Sequence, residues 1–69
     1  MNLTEKLKIA MLKQNVTQTH LAELTEQTRK NLSNKMSRDN FKLSEYKKLV
    51  DALGCELEIS IILPDGTKI

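Results

Sequence analysis

Sixty-nine residues at 7.9 kDa make one small domain and leave no room for a second. Hydrophobic residues are 39% and aromatics 3%, the latter being Phe41 and Tyr46, so the core is thin and a staple or a partner would help it. One cysteine excludes an internal disulfide, Cys55 with His20 is too few ligands for a zinc tetrahedron, and a net charge of +2 permits a polyanionic partner without demanding one.

The first apolar stripe is Leu3, Leu7, Ala10 and Met11, at i, i+4, i+7 and i+8, which predicts a helix. Thr4 caps it, or Asn2 with Glu5 three residues on forms a capping box. Ile9 and Leu12 fall on the opposite side, so another part of the fold or a second chain is expected to cover them. Asn15-Val16-Thr17 interrupts the pattern. Thr17 is a good N-cap for a second helix from Gln18 to about Thr25, with Leu21, Ala22 and Leu24 inward. Glu26-Gln27 makes a short turn. Thr28 caps a third helix, Arg29 to Met36, whose only apolar residues are Leu32 and Met36.

Residues 37–42 (SRDNFK) read as a loop with Phe41 as an apolar plug. Leu43, Tyr46, Leu49, Val50 and Leu53 share one face of a fourth helix that starts near Ser44. Gly54 stands where a helix stops in the left-handed conformation. Beyond it the period changes: Leu57, Ile59 and Ile61 alternate with Glu56, Glu58 and Ser60, which predicts a half-buried strand over Glu56 to Leu63. Leu63-Pro64-Asp65-Gly66-Thr67 is turn chemistry, and Thr67-Lys68-Ile69 can pair back. The division is thus 1–55, helical, and 56–69, strand or short hairpin. No apolar stretch approaches the ~20 residues of a membrane span or the core of a signal peptide, and a lone reduced cysteine suits a cytoplasmic setting.

Charge is unevenly spread. Residues 1–28 balance Lys6, Lys8 and Lys13 against Glu5, Glu23 and Glu26. Residues 29–48 set seven basic residues against Asp39 and Glu45, a net +5, and residues 49–69 set Lys68 against four acids, a net −3. A basic middle and an acidic end suit a polyanion on one face and a different task on the other; the plain alternative is an unevenly charged solvated surface.

Two short helices joined by a tight turn, the second with a narrow apolar stripe, have the layout of a helix-turn-helix. With Leu32 inward, Lys30, Asn34 and Ser37 point most directly out, flanked by Asn31 and Ser33, and Arg29 lies on the first turn. This face offers donors and acceptors and no hydrophobe, as a major groove asks. Thr17-Gln18, Leu21-Ala22, Thr28-Arg29, Leu32-Ser33 and Ala52-Leu53-Gly54 together resemble the lambda-repressor/Cro-like (Xre) family over about residues 5–58. One departure is Glu26, where the family often has glycine; the turn must relax or Glu26 must accept an unfavourable φ. The resemblance implies a four- to five-helix, mainly α domain that binds double-stranded DNA. It implies Thr17, Gln18 and Thr28 among the DNA contacts, Gln18 and Thr28 at phosphates, with Thr17 and Thr28 alternatively caps only. Arg29, Lys30 and Asn34 are the candidates for base edges. Asn31, Ser33, Lys35, Arg38 and Asn40 are candidates for the backbone, with Lys35 and Arg38 alternatively only solvated.

The predicted strand leaves most of its edge open. Pairing with a second copy, with Ile9, Leu12, Leu57, Ile59 and Ile61 as a shared apolar layer, would close it, as in family members with a C-terminal strand; an intramolecular hairpin on the first helix is the alternative. His20 reads as exposed, Cys55 as a small core residue, and Met11 and Met36 as filler. No glycine-rich phosphate loop, paired carboxylates or nucleophile with a base is present, so no enzyme, cofactor, metal or small-molecule ligand is expected. The function expected is a transcriptional regulator working as a two-fold dimer. The rivals are a protein-interaction module, such as the DNA-binding antitoxin of a toxin pair, and an RNA-binding or nucleoid-like protein. The short stretch after Leu63 speaks against a toxin-wrapping tail, and the scarcity of aromatics speaks against single-stranded RNA.

Overall fold

The computed structural model describes residues 1–69. It contains four helices, α1 (Leu3–Gln14), α2 (Gln18–Leu24), α3 (Arg29–Arg38) and α4 (Leu43–Ala52), and no strand. The chain is therefore a small, mainly α domain. No helix is long and apolar enough to cross a membrane.

Each helix begins and ends for a local reason. Asn2 caps α1 by accepting from the Glu5 amide at 2.8 Å. Thr17 caps α2 from the His20 amide, and Thr28 caps α3 from the Asn31 amide. Asn15 and Asp39 close α1 and α3 in the left-handed region, at φ 57° and 50°, and Gly54 takes φ 75° just after α4. The turn between α2 and α3 does not relax around Glu26, which accepts φ 54°, at a cost of about 1 kcal/mol relative to glycine.

Only eleven of the 69 residues are buried, and ten of them form one hydrophobic cluster. Leu21 and Leu32 are completely buried where α2 packs on α3, and Ala22 at 1% exposure lets the two backbones approach. Leu7 and Met11 come from α1, and Tyr46, Leu49, Val50 and Leu53 from α4 and its end. Phe41 plugs the loop side of this core, its ring 5.4 Å from Tyr46 in an edge-to-face pair.

Several expectations need correction. Leu3, Leu24 and Leu43 belong to the apolar faces that the pattern predicts, but all three are exposed. Thr4, expected as a possible cap, is instead buried against the end of α3. Its amide donates to Asp39 Oδ1 at 2.8 Å, and its hydroxyl lies within reach of both that oxygen and the Met36 carbonyl. Helix α3 runs two residues past its predicted end at Met36, to Arg38, and closes in the left-handed region at Asp39, inside the stretch read as a loop.

The strand predicted over Glu56 to Leu63 does not form. Residues 55–61 carry no ladder, and one isolated bridge joins Ile62 to Lys68. The turn itself is as the chemistry of residues 63–67 requires: the Leu63 amide donates to the Thr67 carbonyl, and Ile61 and Ile69 exchange both backbone bonds. Alternation had no partner beyond these few residues, so it produced a short hairpin and not a strand. The five residues assigned to one apolar layer are also split. Leu57 is half-buried against the chain's own core, whereas Ile9, Leu12, Ile59 and Ile61 are 41%, 81%, 59% and 61% exposed.

Candidate nucleic-acid interface

Helix α3 lies with one stripe, Leu32 and Met36, in the core. At about 100° per residue the rest of the helix is distributed around that stripe. Lys30, Asn34 and Ser37 stand opposite Leu32, and all three are exposed. Asn31 and Arg38 lie on one flank, Arg29 and Ser33 on the other, and all four are exposed. Thr17 and Thr28 are exposed at the starts of α2 and α3, while Gln18, first in α2, is half-buried.

The structure gathers one part of this set into a cleft of about 280 Å³ lined by Asn31, Asn34, Lys35, Arg38, Asn40, Lys42 and Glu45, with no hydrophobic residue among them. Five of the residues singled out in the sequence meet here: Asn31, Asn34, Lys35, Arg38 and Asn40. Thr17, Gln18, Thr28, Arg29, Lys30 and Ser33 stand outside it. Lys42 and Glu45, on the rim of α4, were not anticipated. Lys42 lies in the basic segment and was legible as charge; Glu45 had no helical spacing to α3 that could have announced it.

Two side-chain arrangements fix the walls. The first is a relay across the turn. Asn31 donates to Gln27 Oε1 at 2.9 Å, Gln27 donates to Thr25 Oγ1 at 2.8 Å, and Thr25 donates to the Leu21 carbonyl at 2.8 Å. The first turn of α3 is thereby tied to α2, and one N–H of Asn31 is committed. The second is an ion pair from Lys35 on α3 to Glu45 on α4. Lys35 sits only about 60° from Leu32 around the helix, which explains why it is half-buried and turned to α4. Its side chain, assigned to a DNA backbone, is occupied within the chain. Arg38, Lys42, Arg29 and Lys30 enter no ion pair.

Below the cleft, the Tyr46 hydroxyl donates to the Leu3 carbonyl at 2.8 Å. Burial and, to a smaller extent, the Asp39 carboxylate push its ionisation above the usual 10.0, so it remains a neutral donor through the physiological range. Gln14 donates to the Leu53 carbonyl at 3.0 Å, fastening the far end of α1 to the end of α4.

Among known proteins, no family model matches the chain, and neither a curated protein nor a solved structure gives a significant match.

Proposed function

We propose that the chain is a sequence-specific DNA-binding transcriptional regulator of the lambda-repressor/Cro type, with α3 as the helix that enters the major groove. The observation that carries this reading is the outward surface of α3. Over ten residues it exposes Arg29, Lys30, Asn31, Ser33, Asn34, Ser37 and Arg38 and no hydrophobe. A helix of that length spans about 15 Å, which fits along a groove about 12 Å wide. A surface that binds protein ordinarily carries an apolar anchor at its centre, and this one has none. Arg29 and Lys30 suit guanine O6 and N7, and Asn34 suits the N6/N7 edge of adenine. Gln18, Thr28, Ser33, Asn31, Arg38 and Asn40 suit phosphates, which position the helix without specifying a sequence.

The working form in this reading is a homodimer that joins through the apolar side chains around the C-terminal hairpin. The accessible surface is 5340 Å², against about 4,400 Å² for a compact monomer of this mass. The excess is close to the roughly 800 Å² each partner buries in a standard interface. Ile59, Ile61, Ile62 and Ile69 are each at least 59% exposed and supply the apolar part of it. A two-fold pair would present its α3 helices about 34 Å apart, one turn of DNA.

Selection of duplexes from a random pool, followed by a salt series on the selected and an unselected duplex, tests the reading. A selected site bound about 10³-fold or more tightly than random DNA supports it. In that assay Arg29→Ala and Asn34→Ala should each lose about 1–3 kcal/mol on the selected site and little on random DNA. Equal losses on both duplexes contradict base reading. No enrichment, with a protein partner recovered instead, favours the interaction-module alternative.

A further inference from the structure

The cleft beside α3 contains three cations and one anion, and the anion is placed where it changes what the cations do. Lys35 and Glu45 lie on different helices, and their side chains are each only 30% exposed. The Lys47–Asp51 pair on α4, by contrast, has side chains 64% and 52% exposed. The Lys35–Glu45 pair also forms the wall between two clefts, since both residues line the polar cleft of Asn31 to Lys42 and a second one of about 180 Å³ bordered by Thr25, Gln27, Lys48 and Leu49. Partial burial lowers the effective dielectric and weakens screening, so this attraction outlasts that of an open surface pair.

We propose that Glu45 is a selectivity residue of the nucleic-acid interface: it occupies Lys35 inside the cleft, so that a DNA backbone meets Arg38 and Lys42 and not a third cation. This rests on the DNA-binding reading above. A phosphate entering the cleft must either displace Glu45 from Lys35 or leave Lys35 alone, and it also approaches a carboxylate. Both effects weaken the part of binding that is blind to sequence, which comes from phosphate neutralisation. Contacts from Arg29, Lys30 and Asn34 to base edges are untouched, because none of those residues bonds to the pair. The consequence is a higher ratio of specific to random binding at the expense of absolute affinity, a design in which repulsion contributes to discrimination.

The test uses the full chain, a labelled random-sequence duplex, fluorescence anisotropy and a salt series. Glu45→Gln should bind the duplex more tightly than the wild type. Its log–log salt slope should steepen by about 0.9, the value for one added phosphate contact, which widens the affinity loss between about 50 and about 200 mM salt by about 3- to 4-fold. The double variant K35M/E45M keeps the packing of both stems and removes both charges, and its slope should equal that of the wild type. An unchanged slope in Glu45→Gln overturns the proposal. So does a slope shallower by about 0.9 in the double variant, because Lys35 would then already contact a phosphate in the wild type. Circular dichroism confirms that each variant is helical; should Glu45→Gln unfold, the double variant still decides. A wild type that binds no duplex at low salt overturns the DNA reading together with this inference, whereas a wild type that binds beside a Glu45→Gln of unchanged slope overturns this inference alone.

Discussion

The helical body and the C-terminal hairpin are built from the same kinds of residue and treat them oppositely. In the body Leu7, Leu21, Leu32, Leu49 and Leu53 are at most 3% exposed; in residues 59–69 the five large apolar side chains are 38–70% exposed. Hydropathy does not account for this, since isoleucine is no less apolar than leucine. The difference is one of neighbours. Four helices converge on a common centre, each burying one stripe, whereas the hairpin pairs only over residues 61–69 and has nothing packed on either face. The dimensions agree: the radius of gyration is 13.4 Å and the longest extent 43 Å, against about 11 Å expected for a compact chain of this length.

The largest test of the contrast is truncation on each side of it. Leu32→Ala, in the body, should cost about 3–5 kcal/mol in urea unfolding. Ile62→Ala, in the hairpin, should stay within about 0.5 kcal/mol at concentrations where the chain is monomeric. A large cost at Ile62 under those conditions would mean that the hairpin is folded onto the body. Next in size is the clamp. Asp39→Ala removes the acceptor for Thr4 and the residue that holds φ 50°; a loss of about 1–3 kcal/mol is expected. Asp39→Gly, which keeps the backbone freedom and removes the carboxylate, separates the two contributions.

Ile59→Lys addresses the hairpin's task. Sedimentation should show at least a tenfold weaker self-association, about 1.4 kcal/mol, with the far-ultraviolet spectrum unchanged. A variant as dimeric as the wild type would place the contact elsewhere. The smallest effect is acid on the turn. Asp65 accepts from the Thr67 amide at 2.8 Å, and hydrogen bonds from the Thr67 backbone and side chain hold its ionisation below the usual 3.8. The folded value is the lower one, so this local stabilisation is complete above pH 3.8 and is lost as pH falls through the depressed value. Amide exchange should show the hairpin opening in that acidic window while α1 to α4 keep their protection.

What was legible in the sequence was what is local. Thr17 and Thr28 as caps, Gly54 as a left-handed stop, the pairing of α2 with α3 and the outward set of α3 all depend on spacings of three or four residues. What was not legible joins residues far apart. Thr4 to Asp39, Tyr46 to Leu3 and Gln14 to Leu53 span 35, 43 and 39 positions, and no period links them. Lys35 with Glu45 is ten residues apart and crosses from one helix to the next, so a charge count placed Lys35 in a basic patch where geometry gives it a carboxylate. The strand failed for a related reason. Alternation at Leu57, Ile59 and Ile61 states which faces would differ if a neighbouring strand were there, and the backbone pairing of the hairpin reaches back only to Ile61.

The three long bonds of α1 also set an order of events. Helices α2, α3 and α4 follow one another through short connections, so their contacts close small loops early. The side-chain bonds that fasten α1 to the later helices each span 35 residues or more: its clamp needs Asp39 and its far end needs Leu53. During synthesis it emerges before α2, α3 and α4, and these fastenings close only after α4 is complete. The N-terminal helix therefore acts as the closing bolt of the fold, and the waiting time before it closes is the interval in which the nascent chain is most open to aggregation.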